Sequence, residues 1–151
     1  MCATLRKGKP KAKFGDIYEV QLSKGVAYVQ YVFRHTAGRE TSAHGPLIRV
    51  LPGLFKTPLS EPAAIAEKEE RFVAFYWVPG AINDGDFKQV GAAPVQERFK
   101  KCPLFKNGAA ENWRLWDGDT YTLVDPFPPQ YFDLPTTELV PHSGLVNRIE
   151  S

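Results

Sequence analysis

The sequence predicts a mainly β protein, α+β in having minor helices, built as a strongly bent antiparallel sheet or small open barrel of about seven strands. Two observations carry this. Aromatic residues make up 13% of the chain, with ten Phe, six Tyr and three Trp, and aromatic and β-branched side chains favour pleated, half-buried strands. Short runs of such residues also alternate with turn signals, a spacing that suits a bent sheet or open barrel. At 151 residues, 43% of them hydrophobic, the chain can bury one core without metals or disulfides. It divides into a basic flexible arm over residues 1–13 and a single β-rich globular domain over 14–151.

Order is expected from Phe14. The runs "DIYEVQL" and "VAYVQYVFRH", separated by "SKG", read as a hairpin with Gly25 at its turn. Tyr18, Val20 and Leu22 share one face of the first strand. The second is apolar on both faces, Val26, Tyr28 and Val32 against Val29, Tyr31 and Phe33, which places it inside the sheet. "TAGRETSAHG" is a polar loop with His35 and His44 at or near its ends, and "PLIRVLPG" a third strand closed by Pro52-Gly53.

"SEPAAIAEKEE" predicts one or two helical turns with Ser60 as N-cap. "RFVAFYWV" is the most apolar run and the candidate central strand, with Trp77 in the core; "DFKQVGAAPV" is expected to pair with it or lie beside it. "QERFKKCPLFKNGAAEN" reads as irregular or partly helical. "WRLW" and "TYTLV" then flank a tight turn. "DPFPPQYFDLP" holds four prolines in eleven residues, which rules out a central strand or a helix. It is expected to be an ordered surface strap that buries Phe127, Tyr131 and Phe132. "TTELVPHSGLVNRIE" offers helical turns with Leu145, Val146 and Ile149 on one side.

The net charge of +2 hides an asymmetry. Arg6, Lys7, Lys9, Lys11 and Lys13 fill the arm, leaving 14 basic and 17 acidic residues in the body. A basic arm on a mildly acidic body is a weak nucleic-acid footprint, because such proteins cluster charge on the folded surface with aromatics interleaved. Cys2 and Cys102 make no disulfide framework and no zinc spacing, so a cytoplasmic, reducing setting fits. No stretch approaches 18 apolar residues, which excludes a transmembrane helix. No apolar segment follows the basic N-terminus as a secretory signal would require.

Asp-Gly-Asp occurs twice, at Asp84–Asp86 and Asp117–Asp119. A calcium loop needs acids at alternate positions, glycine at the sixth and glutamate at the twelfth. Neither copy meets that spacing, so no metal or cofactor is expected. Asp-Gly between strand-like runs is instead a strong turn signal. The three imidazoles, His35, His44 and His142, lie in polar or loop contexts. No G-x-S-x-G elbow or phosphate-binding loop is present. Lys100 and Lys101 could lower the Cys102 thiol pKa, although a partly buried structural cysteine is the commoner state. Trp113 and Trp116, three apart on a strand, must point to opposite faces. One therefore needs cover from the proline-rich strap or stands as an anchor for a protein partner.

"KFGDIYEVQLSKGVAYVQYVF" followed by "GPLIRVLPG" resembles the opening of the immunity protein 26 family of bacterial polymorphic toxin systems. "DGDFKQVGAAPV", "CPLFKNG" and "WRLWDG" are similar to that family's second half. The resemblance spans roughly residues 13–124 and rests on order and spacing. It touches Gly15, Asp16, Tyr28, Gly91, Pro94, Pro103, Phe105 and Trp113, which with Trp77 read as turn and core markers. It implies a non-catalytic cytoplasmic immunity protein that binds and neutralises a cognate toxin. A basic nuclease site would be met by acidic groups, with Asp84, Asp86, Trp113, Trp116, Asp117 and Asp119 as candidate partner-binding residues. Two alternatives stand beside it. One is a small nucleic-acid-binding β-barrel using the arm; the other is a small enzyme, which a pocket joining His35 or His142 to two carboxylates would favour.

Overall fold

The computed structural model describes residues 11–35, 45–108 and 112–151. Strands β1 (Asp16–Leu22), β2 (Gly25–His35), β3 (Gly45–Val50), β4 (Phe72–Phe75) and β5 (Phe87–Ala92) form an antiparallel sheet in the order β4-β3-β2-β1-β5. Strands β6 (Phe105–Asn107), β7 (Arg114–Trp116) and β8 (Tyr121–Leu123) form a second, in sequential order. Among the described residues two α-helices accompany them, α1 (Val78–Asp84) and α2 (His142–Glu150). The mainly β class holds: the described residues form eight strands in two sheets that do not close into a barrel. Most of the basic arm, Cys2, and the polar loop with His44 lie outside the described residues.

The β1–β2 hairpin forms as expected, with Leu22 paired to Gly25. β2 is interior, and its two apolar faces feed different cores. Ala27, Val29 and Tyr31 join Tyr18, Val20, Ile48 and Val50 under Leu145 and Ile149 of α2. Val26 and Tyr28 join Ile17, Leu51 and Ala66 on the other side. Val32 slips out of register between Tyr31 and Phe33. Such a bulge bends the strand, and beyond it Val32 enters a third core with Leu47, Phe75, Phe99, Phe105 and Trp116, drawn from both sheets.

The apolar run "RFVAFYWV" is not central: β4 lies at one edge of the sheet and β5 at the other, beyond β1. β4 can be apolar there because its outer edge is covered. Phe75 forms a parallel bridge with Leu139, and the Val140 amide donates to the Phe75 carbonyl at 2.8 Å. β6 is covered by the same length of chain, the Lys106 amide donating to the Pro135 carbonyl at 2.9 Å. Residues 135–140, at the end of the proline-rich segment and just after it, therefore close two edges, and the segment itself is a surface strap. Phe127 and Tyr131 are half-buried within it, but Phe132 is 54% exposed and stacks on Phe127.

The helix expected with Ser60 as its cap is a 3-10 helix over Pro62–Glu67, with Glu61 in the N-cap position and no side-chain cap. Arg49 explains why it does not continue as α-helix. Its guanidinium, fully buried, binds the carbonyls of Ala66 and Lys68, so the Ala66 carbonyl serves Arg49 rather than the next helical turn. Arg49 also donates to Gln30 Oε1 at 2.7 Å and pairs with Glu70 at 3.3 Å. Gln30 in turn donates to the carbonyls of Gly15 and Ala93. Burial on its own raises the Glu70 carboxyl, but hydrogen bonds from Arg98 and Arg49 and the Arg98 charge outweigh it and hold the pKa below the usual range.

Candidate functional site

The two Asp-Gly-Asp motifs solve different problems. At Asp117–Asp119 the expected β7–β8 hairpin turn forms between Trp116 and Tyr121. The Asp117 carboxylate accepts from the amides of Asp119 and Thr120, both at 2.9 Å, and Gly118 takes φ +105°. Hydrogen bonds from those two amides hold the Asp117 pKa low. At Asp84–Asp86 no hairpin exists. Gly85, at φ +82°, ends α1 in the left-handed conformation, its amide bonded to the Ile82 carbonyl, and the chain enters β5 at Phe87.

Helix α1 creates a groove that the sequence concealed. β4 ends at Phe75, Tyr76 and Val78 turn inward, and Trp77 between them turns out. Trp77 is 49% exposed rather than a core residue. Its ring lies against Gly80, where a Cβ would sit 2.7 Å from the indole Cδ1. Trp77, Leu139, Asp84, Asp86, Tyr76 and His142 line a groove of about 280 Å³, with Leu139 53% exposed. "WVPG" was the available signal, because Pro79-Gly80 marks the chain leaving the sheet just after Trp77.

Within the groove, Tyr76 Oη lies 2.7 Å from His142 Nδ1, and His142 Nε2 faces Asp86 Oδ1 at 3.7 Å. Burial first, then the negative charges of Asp86 and Asp84, push the Tyr76 hydroxyl well above its ordinary pKa. The phenol stays protonated and can donate to Nδ1, leaving the ring proton on Nε2 toward the carboxylate. Both imidazole nitrogens are thereby directed at protein groups.

Asp117 and Asp119 line a separate hollow of about 530 Å³ with His35, Arg34, Lys100, Lys101 and Cys102. The two acidic pairs thus belong to different sites. His35 is buried, lies 2.7 Å through Nε2 from the Gly118 carbonyl, and meets the Trp116 ring edge-on. Since a carbonyl only accepts, Nε2 carries the proton and His35 fastens the hairpin to the end of β2. Lys100 and Lys101 do not activate Cys102. Burial, followed by the charges of Asp117 and Asp119, pushes its thiol up to about 11.

Trp113 and Trp116 point to opposite faces of β7, as their spacing requires. Trp116 is buried, and Trp113 is half-buried between the Lys106 ammonium, 4.6 Å from its ring centre, and Phe127 of the strap. The remaining markers sit at structural posts. Gly15 makes the turn before β1 and Asp16 opens the strand, accepting from the Lys13 amide, Tyr18 and Gln89. Tyr28 and Phe105 are fully buried. Gly91 pairs with Ile17 beside the Val90 bulge, Pro94 follows the end of β5, and Pro103 precedes β6 half-buried. Among the described residues no cluster of three or more His, Cys, Asp or Glu could hold a metal, and no helix is long and apolar enough to cross a membrane. Comparison with protein-family models, with curated proteins and with solved structures finds no match to the chain.

Proposed function

We propose that the chain is a non-catalytic binding protein that neutralises a cognate bacterial toxin by docking through the Trp77 groove. The observation that carries this reading is an indole half in solvent on a packed helix start, beside an exposed Leu139 and two carboxylates. A preorganised aromatic flanked by apolar area and ringed by charge has the anatomy of a binding hot spot, because little ordering entropy is lost when it is buried. Asp84 and Asp86 suit a basic partner surface, such as the active site of a nuclease, and would speed its approach. Asp117, Asp119 and Trp113 lie outside this groove; Trp116 serves the core.

The test is co-expression with the toxin-like product of the adjacent gene. Rescue of growth should be lost, and binding weakened by about 2 kcal/mol or more, in Trp77→Ala. Full rescue and undiminished binding by that variant would sink the groove as the docking site. An adjacent product that neither binds nor harms the cell would sink the immunity reading itself.

A second reading, a small enzyme, is favoured by one specific observation: each hollow joins a histidine to two carboxylates. His142 is the better placed, being less buried than His35. Against it, Tyr76 already holds Nδ1 in a hydrogen bond, and Nε2 faces Asp86 at 3.7 Å rather than open solvent, so neither nitrogen is presented freely to a substrate as general acid–base work requires. Hydrolysis of simple esters or phosphodiesters that disappears in His142→Ala would favour this reading over the first.

A further inference from the structure

The groove beside Trp77 is apolar at one end and acidic at the other, and that polarity selects a ligand. Trp77, Gly80, Ala81 and Asp84 line one wall, and offsets of three, four and seven residues place them on a single stripe of α1. Trp77 caps the start of the helix and Asp84 is its last residue, which sets their backbones about 10 Å apart along the axis. Gly80 and Ala81 keep the wall low between them, and the indole lies against Gly80. Leu139, 53% exposed, lines the groove as well.

The acidic end is costly to the fold. Asp84 ends α1, where the helix dipole disfavours a negative charge, and Asp86 follows two residues on. Among the described residues neither carboxylate pairs with a lysine or an arginine, and Asp86 meets only His142, at 3.7 Å. Their charges are felt inside the groove: after burial, they are what raises the Tyr76 hydroxyl. Neighbouring charges of one sign that the chain itself leaves uncompensated belong to function rather than to stability.

The occupant must therefore carry a cationic head on an apolar stem. A volume of about 280 Å³ is below the roughly 300–1,000 Å³ of pockets that hold a whole small molecule, and suits one side chain. Lysine and arginine both lay an apolar stem along a surface like that of Trp77 and Leu139. Only a guanidinium also offers a planar fork that can meet two carboxylates at once and stack on an indole, and it sheds water more readily than an ammonium.

We propose that the Trp77 groove receives one arginine side chain of the partner, its stem over Trp77 and Leu139 and its guanidinium between Asp84 and Asp86. This rests on the groove being the docking site and adds the group that the partner inserts there.

The peptide acetyl-Gly-Arg-Gly-amide, titrated into the isotopically labelled full chain and followed by NMR, tests the assignment. Shifts are expected at the Trp77 indole N–H, Gly85, Asp86 and His142. The lysine peptide should bind about fivefold more weakly, and the citrulline peptide, of the same shape without the charge, should not bind. Asp84→Asn and Asp86→Asn should each weaken arginine binding by about fivefold, and Asp84→Asn should leave the thermal midpoint unchanged or raised. Equal binding of the arginine and lysine peptides, indifference to both asparagine variants, or no shift at about 10 mM peptide would overturn the proposal. So would groove signals that move when residues 1–10 are merely removed, since the occupant would then be the chain's own basic arm. Loss of toxin binding in Trp77→Ala without any preference for arginine would keep the docking site and remove the arginine alone.

Discussion

Arg49 is fully buried and charged, on a strand whose neighbours are Ile48 and Val50. Burial lowers its pKa, and the hydrogen bond and charge of Glu70 oppose that shift without cancelling it. Its contacts join β2, the 3-10 helix and the chain before β4, so its removal strands several polar groups at once. Arg49→Ala is expected to cost about 3 kcal/mol, read as a drop in the denaturation midpoint at unchanged slope. Glu70 keeps Arg98 as a partner, which limits the loss; a change within experimental error would show the network to be dispensable. The role was invisible in "PLIRVLPG", because the alternation of a strand says which face Arg49 occupies and nothing about carbonyls brought from residues 66 and 68. Trp77 was hidden for the opposite reason. Its neighbours are apolar, and only the turn of the backbone after Phe75 decides that the indole leaves the core.

Helix α1 shows how one motif can serve two elements. Asp-Gly at Asp117-Gly118 and at Asp84-Gly85 supplies the same left-handed glycine, once to a hairpin and once to a helix end. The sequence could identify the turn residue but not the element before it, since "VPGAIN" is only seven residues of α1 less one and lacks a capping side chain. A Cβ at Gly85 would meet nothing within 4 Å, so Gly85→Ala isolates the backbone term and should cost about 1 kcal/mol. At Gly118 the Cβ would lie 2.7 Å from that of Cys102, so Gly118→Ala should cost more. Thermal unfolding of both variants checks the order; equal losses would mean that Cys102 yields. By contrast, α2 was legible because Leu145, Val146 and Ile149 announce a buried side, and the structure places them on the main core.

At the scale of the molecule, the strand content and the interior place of β2 were readable from local pattern, whereas the division into two sheets was not. That division depends on contacts between distant segments: Phe75 stacks on Phe105 at 4.8 Å, and the chain near Leu139 returns to β4. Amide exchange should follow the same geometry. Protection is expected to be highest in β2 and β3, buried on both faces, and lowest in β8; protection of β8 equal to that of β2 would mean its edge is already occupied. The strap has a consequence for the order of events in synthesis. On the ribosome, residues 16–92 already hold all five strands of the larger sheet, but the segment that shields β4 and the helix that roofs Tyr18, Val29 and Ile48 emerge only after them. Ser23 even waits for Glu150, which accepts its hydroxyl proton at 2.6 Å. A nascent chain paused before residue 139 would present a bare apolar strand and an open core, so a delay between β5 and α2 exposes surface that the finished fold covers.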